Sequence, residues 1–466
     1  MVMRASVCVL VFVLATPGLG FAQAGPLPLL RLREAIAASL GSGPELQARE
    51  DAVTMAEIQT RAAAAPFATR WTPSLSSGTN PGGFDSRVLG MTVSRKLPTG
   101  TDLWLTGSSS TWGMSDAAIR DTSYSLGFSQ PLNTLFGGAA AEPLLAAKRA
   151  VASTRRQYDD ARLQAVVATA EKYFAVVRAS RVAEAGARAL ARALRLVEAS
   201  KARAAAGQDT GLDVMRAELL ASQSEGAAGD ALEALASAHE QLNLAMGRPL
   251  DTPYDVSAEE AAWTDPEPGG AVDLAAAAID RRVTVRDARA RVDDAKRSAG
   301  IARVNLLPPL QLNVQYERHG LGAGDTPWYT PMNGWRVSVT SNYQLDRAAQ
   351  AAASATADVA LKAAQREAGR AAEQVAAEVR QAGRATVRAD AAAILQRRAL
   401  DVAQRQVRLA QLRYERGLAD NFAVVDAENT LFHTESASIA ADIERWLSRV
   451  RLERVSGTLD LRRFEP

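Results

Sequence analysis

Histidines and carboxylates are the residues of this chain that could do acid–base or metal chemistry, and their spacing argues against both. The three histidines, His239, His319 and His433, fall on two helical stretches and a strand end, with no ligand spacing between them. Asp159-Asp160 and Asp293-Asp294 are adjacent on helical stretches, where neighbouring side chains point about 100° apart, so neither pair can act as an acid and base together. No catalytic residue, metal or cofactor is expected. The carboxylates with the more informative placement lie in two glycine turns. Gly207-Gln208-Asp209-Thr210-Gly211-Leu212-Asp213-Val214-Met215-Arg216-Ala217-Glu218 returns 210 residues later as Gly417-Leu418-Ala419-Asp420-Asn421-Phe422-Ala423-Val424-Val425-Asp426-Ala427-Glu428. Asp213 and Asp426 fall at helix starts, where the helix dipole favours a negative charge.

The elements that position these turns are themselves written twice. The same offset carries Leu242 and Gly247 onto Leu452 and Gly457, so the duplicated unit is a whole structural repeat running helix, strands, long helix, turn, helix. A repeat of this kind cannot bury its apolar face alone, and two copies call for closure with other chains. The expected division is a first repeat at 25–250 with strands at about 87–131, a linker at 251–271, a second repeat at 272–459 with strands at about 309–345, and a short tail at 460–466. Aromatic residues make up only 5% of the 466 residues while Ala, Arg, Glu and Gln crowd the helical stretches, which suits long helices better than a compact mixed core. A net charge of +2 from 54 basic and 52 acidic residues gives no field that would draw nucleic acid.

Residues 1–24 read as a secretory signal: Arg4 is the positive end, Val7 to Ala15 the apolar run and Ala22-Gln23-Ala24 the cleavage site. The one cysteine, Cys8, lies inside that run, so the mature chain is expected to have no thiol and no disulfide. No later stretch has the 18 or more apolar residues of a spanning helix. These facts alone leave a soluble periplasmic or secreted protein open.

The strands argue against it. Leu310-Gln311-Leu312-Asn313-Val314-Gln315-Tyr316-Glu317-Arg318 alternates apolar and polar groups almost perfectly, and Trp335 to Tyr343 and Tyr124 to Gln130 do the same. Each is roughly 9 to 11 residues long, the length at which a tilted strand crosses a bilayer. Thr101 to Trp112 is the fourth candidate, Arg87 to Arg95 reads as an additional short strand or ribbon, and Gly320 to Asp325 as a hairpin loop. About four strands per chain are too few for a sandwich or a barrel, whose minimum is about eight.

Pro143 to Ala206 and Arg347 to Arg416 contain no proline after their first residue and could run ~95 and ~105 Å as helices. Leu400, Ala403, Val407, Ala410 and Tyr414 follow heptad spacing, as do Leu190, Ala193, Val197, Ser200 and Ala204 at the equivalent places. Val425, Asn429, Phe432, Ser436, Ile439, Ile443, Trp446 and Val450 suggest a second seam. Each glycine turn then joins two antiparallel helices. Since an open sheet edge cannot sit in lipid, four strands per chain call for three chains and a shared barrel. The fold class expected is mainly α with a β-barrel part.

With the signal peptide, the duplicated pattern, Tyr414 before Gly417, Phe422-Ala423-Val424-Val425-Asp426-Ala427-Glu428 and the closing Leu452 to Gly457, the chain resembles the TolC-like outer-membrane factors of Gram-negative bacteria. The resemblance implies an outer-membrane homotrimer with a 12-strand barrel and a periplasmic helical tunnel. It implies a passive exit duct that takes substrates from an inner-membrane transporter and a periplasmic adaptor, in drug efflux or type I secretion. It places the turns at a periplasmic tip closed by a Tyr to Asp link, here Tyr414 and Asp213, with Asp426 matching an acidic ring that favours cations. Ala419 and Ala423 depart from the pattern, where an Arg and a further acid can stand. Gly207, Arg416, Gly417 and Asp420 become the adaptor-docking candidates. The competing class is a trimeric coiled-coil tether of the envelope without an open lumen, against which the amides and carboxylate of Gln311 to Glu317 argue, since a tether has no reason to line a barrel with them.

Overall fold

The computed structural model describes residues 28–79, 85–113, 119–133, 139–256, 271–323, 330–343 and 345–463. The expected signal peptide at 1–24, most of the expected linker, the far end of the Gly320 to Asp325 loop and the last residues of the tail lie outside them.

The first repeat opens with a two-residue strand, β1 (Leu29–Leu30), followed by helices α1 (Leu32–Ser42) and α2 (Pro44–Ala64). Four strands follow, β2 (Arg70–Thr79), β3 (Asp85–Lys96), β4 (Asp102–Gly113) and β5 (Ile119–Pro131). The repeat ends with α3 (Glu142–Ala205) and α4 (Gly211–Met246), and β6 (Asp255–Val256) then pairs parallel with β1. The second repeat runs α5 (Ala271–Arg281), α6 (Val283–Val304), β7 (Leu310–Ala323), β8 (Thr330–Ser341), α7 (Ala348–Glu415) and α8 (Phe422–Ser456). The helices correspond pair by pair in length: α3 and α7 have 64 and 68 residues, α4 and α8 have 36 and 35. Both long helices end within one residue of the limits expected from their proline-free runs.

Helices of about 96 and 102 Å cannot stand alone and are held by lateral packing. Small residues set the spacing. At the far end from the sheet, Ala193 and Val197 of α3, Ala217 and Leu220 of α4, Ala403, Val407 and Ala410 of α7, and Val424, Ala427 and Leu431 of α8 form one buried cluster. The first seam therefore lies where the heptad spacing put it. The second does so in part: Val450 is buried and Val425, Ile443 and Trp446 pack against the cores, while Val424, Ala427 and Leu431, off that line, are buried as well. The reason is that α8 packs on both α7 and α3, so its buried stripe falls between the two and not on a single heptad line.

Nearer the sheet, Tyr173 and Phe174 of α3 pack with Ile36 of α1, Leu242 and Met246 of α4, and Trp446 of α8. Phe174 and Trp446 stack with centroids 4.2 Å apart. The Tyr173 hydroxyl donates to the Leu30 carbonyl at 3.1 Å, which ties the β1–β6 ribbon to the bundle. The C-caps of α4 and α8 repeat each other as well. Gly247 and Gly457 both adopt left-handed φ, 68° and 70°. A Cβ at Gly247 would meet the Ser42 carbonyl at the end of α1, and one at Gly457 would lie 3.0 Å from Arg281 Cβ at the end of α5.

The six long strands form one antiparallel sheet in the order β2-β3-β4-β5-β7-β8. Four strands were expected, so the count is corrected by two. The ribbon at Arg87 to Arg95 is the full strand β3, and β2 ahead of it carries Pro73 and the serine run Ser74, Ser76 and Ser77 in place of clean alternation. A proline is tolerated at a sheet edge, where β2 lies. The expected Gly320 loop is also shorter than supposed, because β7 continues to Ala323 and Leu321 pairs with Thr330.

Register gives the sheet two unlike faces. Trp71, Val93, Leu105, Leu126, Tyr316 and Trp335 stand opposite one another across all six strands. The other face carries hydroxyls and amides: Thr92 bonds Thr106 at 3.1 Å, Ser108 bonds Ser123 at 2.7 Å, Asn313 bonds Thr340 at 3.3 Å, and Gln315 bonds Glu317. No helix among the described residues is long and apolar enough to cross a membrane. Gly247→Ala would force a left-handed alanine against the Ser42 carbonyl, a strain of about 1–3 kcal/mol. We expect the thermal unfolding midpoint of the detergent-solubilised protein to fall by several degrees, with Gly226→Ala, which meets open space on the α4 surface, leaving it unchanged or raised.

Candidate functional site at the hairpin tips

The two glycine turns lie side by side at the tip of the bundle. Gly207 and Gly417 each end a long helix at left-handed φ, 73° and 67°, where a side chain would be strained. Each turn then reverses the chain into the following helix. Thr210 caps α4: its hydroxyl accepts from the Asp213 amide at 3.3 Å while the Asp213 carboxylate accepts from the Thr210 amide at 3.0 Å and hydroxyl at 2.6 Å, a reciprocal arrangement that satisfies orphan donors of the first turn. The hydrogen bond from the Thr210 hydroxyl, followed by that from its amide, holds the Asp213 carboxyl below its ordinary value.

The two turns are joined by side chains from both repeats. The Tyr414 hydroxyl on α7 donates to Asp209 Oδ2 at 2.5 Å and lies 2.9 Å from Ser200 Oγ on α3. Arg203 donates to Asp209 Oδ1 at 3.0 Å and lays its guanidinium over the Tyr414 ring, 4.7 Å from the centroid. Burial, reinforced by the Asp209 hydrogen bond, raises the Tyr414 phenol above its usual value, so it remains a donor at neutral pH. Asn421, fully buried, donates to the Asp213 carbonyl at 2.5 Å and to Ser200 at 3.3 Å. Nearer solvent, Arg216 reaches Asp213 at 3.5 Å and Asp420 of the other turn at 3.7 Å.

This geometry corrects the expected partner of Tyr414. Asp213 is occupied with Thr210 and Arg216, and the tyrosine bonds Asp209 instead. Tyr414 stands about one helical turn short of Gly417, and its long side chain spans that rise, so the hydroxyl arrives level with the neighbouring turn and not with the first turn of α4. Asp209 and Asn421 were not singled out from sequence, and the repeat itself concealed them: their equivalents are Ala419 and Gly211, so the cluster draws on positions that differ between the copies. Gly207, Arg416, Gly417 and Asp420 are exposed at the tip, and Asp426 is exposed on α8 apart from the Tyr414 cluster.

Further along the bundle, ion pairs fix the helices against one another. Arg192 of α3 donates to the buried carboxylate of Glu428 on α8 at 2.6 Å, and Gln411 of α7 donates to the same group at 3.0 Å. The histidines are dispersed: His239 stacks near Tyr254 with centroids 4.7 Å apart, His319 lies 3.7 Å from Glu317 on β7, and His433 is exposed on α8. Among the described residues no group of His, Cys, Asp and Glu is arranged to hold a metal ion.

The family model described as outer membrane efflux protein matches residues 35–248 and 274–458, the two repeats in turn. No curated protein matches the chain. Among solved structures, a membrane protein from Pseudomonas aeruginosa superposes with a TM-score of 0.71 at 19% identity, covering 92% of this chain and 91% of its own. The outer membrane protein VceC of Vibrio cholerae gives 0.69 at 18%, with 91% and 96% covered. The open state of the Neisseria gonorrhoeae outer membrane channel MtrE gives 0.70 at 18%, with 92% and 91% covered.

Thr210→Ala removes the α4 cap and should cost about 1 kcal/mol at neutral pH, read as faster amide hydrogen exchange over Leu212 to Met215. Because the folded Asp213 carboxyl titrates below its ordinary value of 3.8, its contribution is complete above that pH and is lost as the pH falls through the folded value. The difference between variant and parent should shrink accordingly below about pH 4; a difference independent of pH would remove Asp213 from the cap.

Proposed function

The chain belongs to the outer membrane efflux protein family, and on that footing we propose that it is the outer-membrane duct of a tripartite efflux or type I secretion system. It works as a homotrimer with a periplasmic adaptor and an inner-membrane transporter. The observation that carries this reading is the sheet, which bears the apolar row from Trp71 to Trp335 on one face and Ser, Thr, Asn, Gln and Glu on the other. Such a sheet meets lipid outside and water inside once it is closed. Helices about 100 Å long continue the conduit away from the membrane and end at the glycine turns.

The tip cluster then acts as a latch. Tyr414, Asp209, Arg203 and Ser200 hold the second-repeat hairpin against the first, and the hairpins must separate for the tunnel to widen there. Asp213 supports the latch by fixing the start of α4, not by bonding the tyrosine. Asp426, exposed beyond the cluster, supplies negative charge that favours cations. Gly207, Arg416, Gly417 and Asp420 form the outermost surface and are the docking points for the adaptor.

Purified protein in planar bilayers should conduct. Tyr414→Phe combined with Asp209→Asn should raise the conductance or open probability several-fold, and Asp426→Asn should lower the preference for cations. Unchanged conductance in the double variant would exclude the latch, and an absence of any conductance would exclude the duct. A photo-crosslinking residue at Arg416 should capture a periplasmic adaptor in cells of the native host, and capture from the barrel side only would move the docking site elsewhere.

A further inference from the structure

Within the trimer proposed above, we infer that the barrel is closed by pairing β2 of one subunit with β8 of the next, so that all six strands of each chain take part and the wall has eighteen strands. Both strands lie at the ends of the sheet, with one edge each unpaired among the described residues. The edge of β4 is not available for this pairing, because β3 occupies one side over twelve residue pairs and β5 the other. A twelve-strand wall would require β3 to be stripped from β4.

The β2–β3 hairpin is built like the rest of the wall. Its apolar residues stay in phase with the lipid-facing rows: Leu75 stands opposite Leu89, and Trp71 opposite Val93, which in turn faces Leu105. Trp71, Leu75 and Leu89 are 64%, 80% and 63% exposed in the single chain, comparable to Trp335 and Val337 of β8 at 71% and 66%. The opposite face of the hairpin continues the hydroxyl lining through Thr72, Ser74, Ser76 and the Thr92–Thr106 bond. A hairpin meant to lie in water would have no use for an apolar row matched to its neighbours.

Direction and length also fit. Strands alternate across the sheet, so β2 and β8 of neighbouring copies meet antiparallel, and they have 10 and 12 residues. Keeping apolar groups on one face while aligning the ends nearest the helices sets Leu75 opposite Val337 and Trp71 opposite Ser341. Pro73 has no N–H, so β2 gives up one ladder hydrogen bond at that residue and keeps the others. The circumference agrees as well: eighteen strands about 4.8 Å apart and tilted by about 40° enclose roughly 110 Å. Four helices from each of three chains, spaced about 9–10 Å, make a ring of the same size.

The test is disulfide trapping in the outer membrane, in a chain whose sole native cysteine is Cys8. Leu75→Cys is combined in turn with Trp335→Cys, Val337→Cys and Val339→Cys, and the rival pairing is tested with Leu105→Cys and Val337→Cys. We expect at least one β2–β8 pair to give covalent trimers on oxidation while the Leu105 pair stays monomeric on denaturing gels. Crosslinking through Leu105, or none through any β2–β8 pair, would overturn the eighteen-strand wall. The mass of the detergent-solubilised parent separates the two claims: a particle of other than three chains refutes the trimer by itself, whatever the crosslinks show.

Discussion

Hydrocarbon offers no partner to a backbone amide or carbonyl, and the architecture of this outer-membrane protein follows from that constraint. Five antiparallel pairings satisfy the interior of the sheet, while among the described residues β2 and β8 have no strand along one side each. A single chain is therefore incomplete in lipid. Among the described residues, strands of different repeats meet in the sheet at the β5–β7 pairing, which stitches the duplicated halves into one wall. The helices inherit their positions from the strand ends: α2 leads into β2, β5 into α3, α6 into β7 and β8 into α7.

Below the sheet a different problem is solved by different means. Helices of 64 and 68 residues expose far more surface than one neighbour can cover, and alanines along the seam let them lie close. Small residues give little resistance to sliding, so register falls to specific polar links. Glu428 receives Arg192 and Gln411 from two other helices, and Asp287 receives Arg156 at 2.7 Å and Ser153 at 3.1 Å from α3. Burying such a carboxylate is costly unless its lone pairs are occupied, so any shift along the helix axis that breaks these bonds is opposed.

Much of this was legible beforehand because it rests on period and punctuation. Proline-free runs with heptad spacing located α3 and α7, and strict alternation located β7 and β8. What escaped was local chemistry without a period. β2 has a proline and a serine run where alternation would be sought, and its place is set by pairing with β3. The α8 stripe follows two partners at once, which no single-helix pattern records. At the tip, duplication revealed the turns, but the family resemblance pointed Tyr414 to Asp213, whereas its side chain reaches Asp209 in the neighbouring turn.

The helix ends beside Gly247 and Gly457 bear on how the tip could move. The close of α1 abuts the first of these caps and the close of α5 abuts the second, at equivalent heights in the two halves. At Gly247 the contact is with the Ser42 backbone carbonyl, and at Gly457 it is with the Arg281 side chain. The two glycines thus mark a collar, and for the hairpin opening proposed above, a small rotation at that level would become a large sideways sweep at the far end of levers several tens of ångströms long.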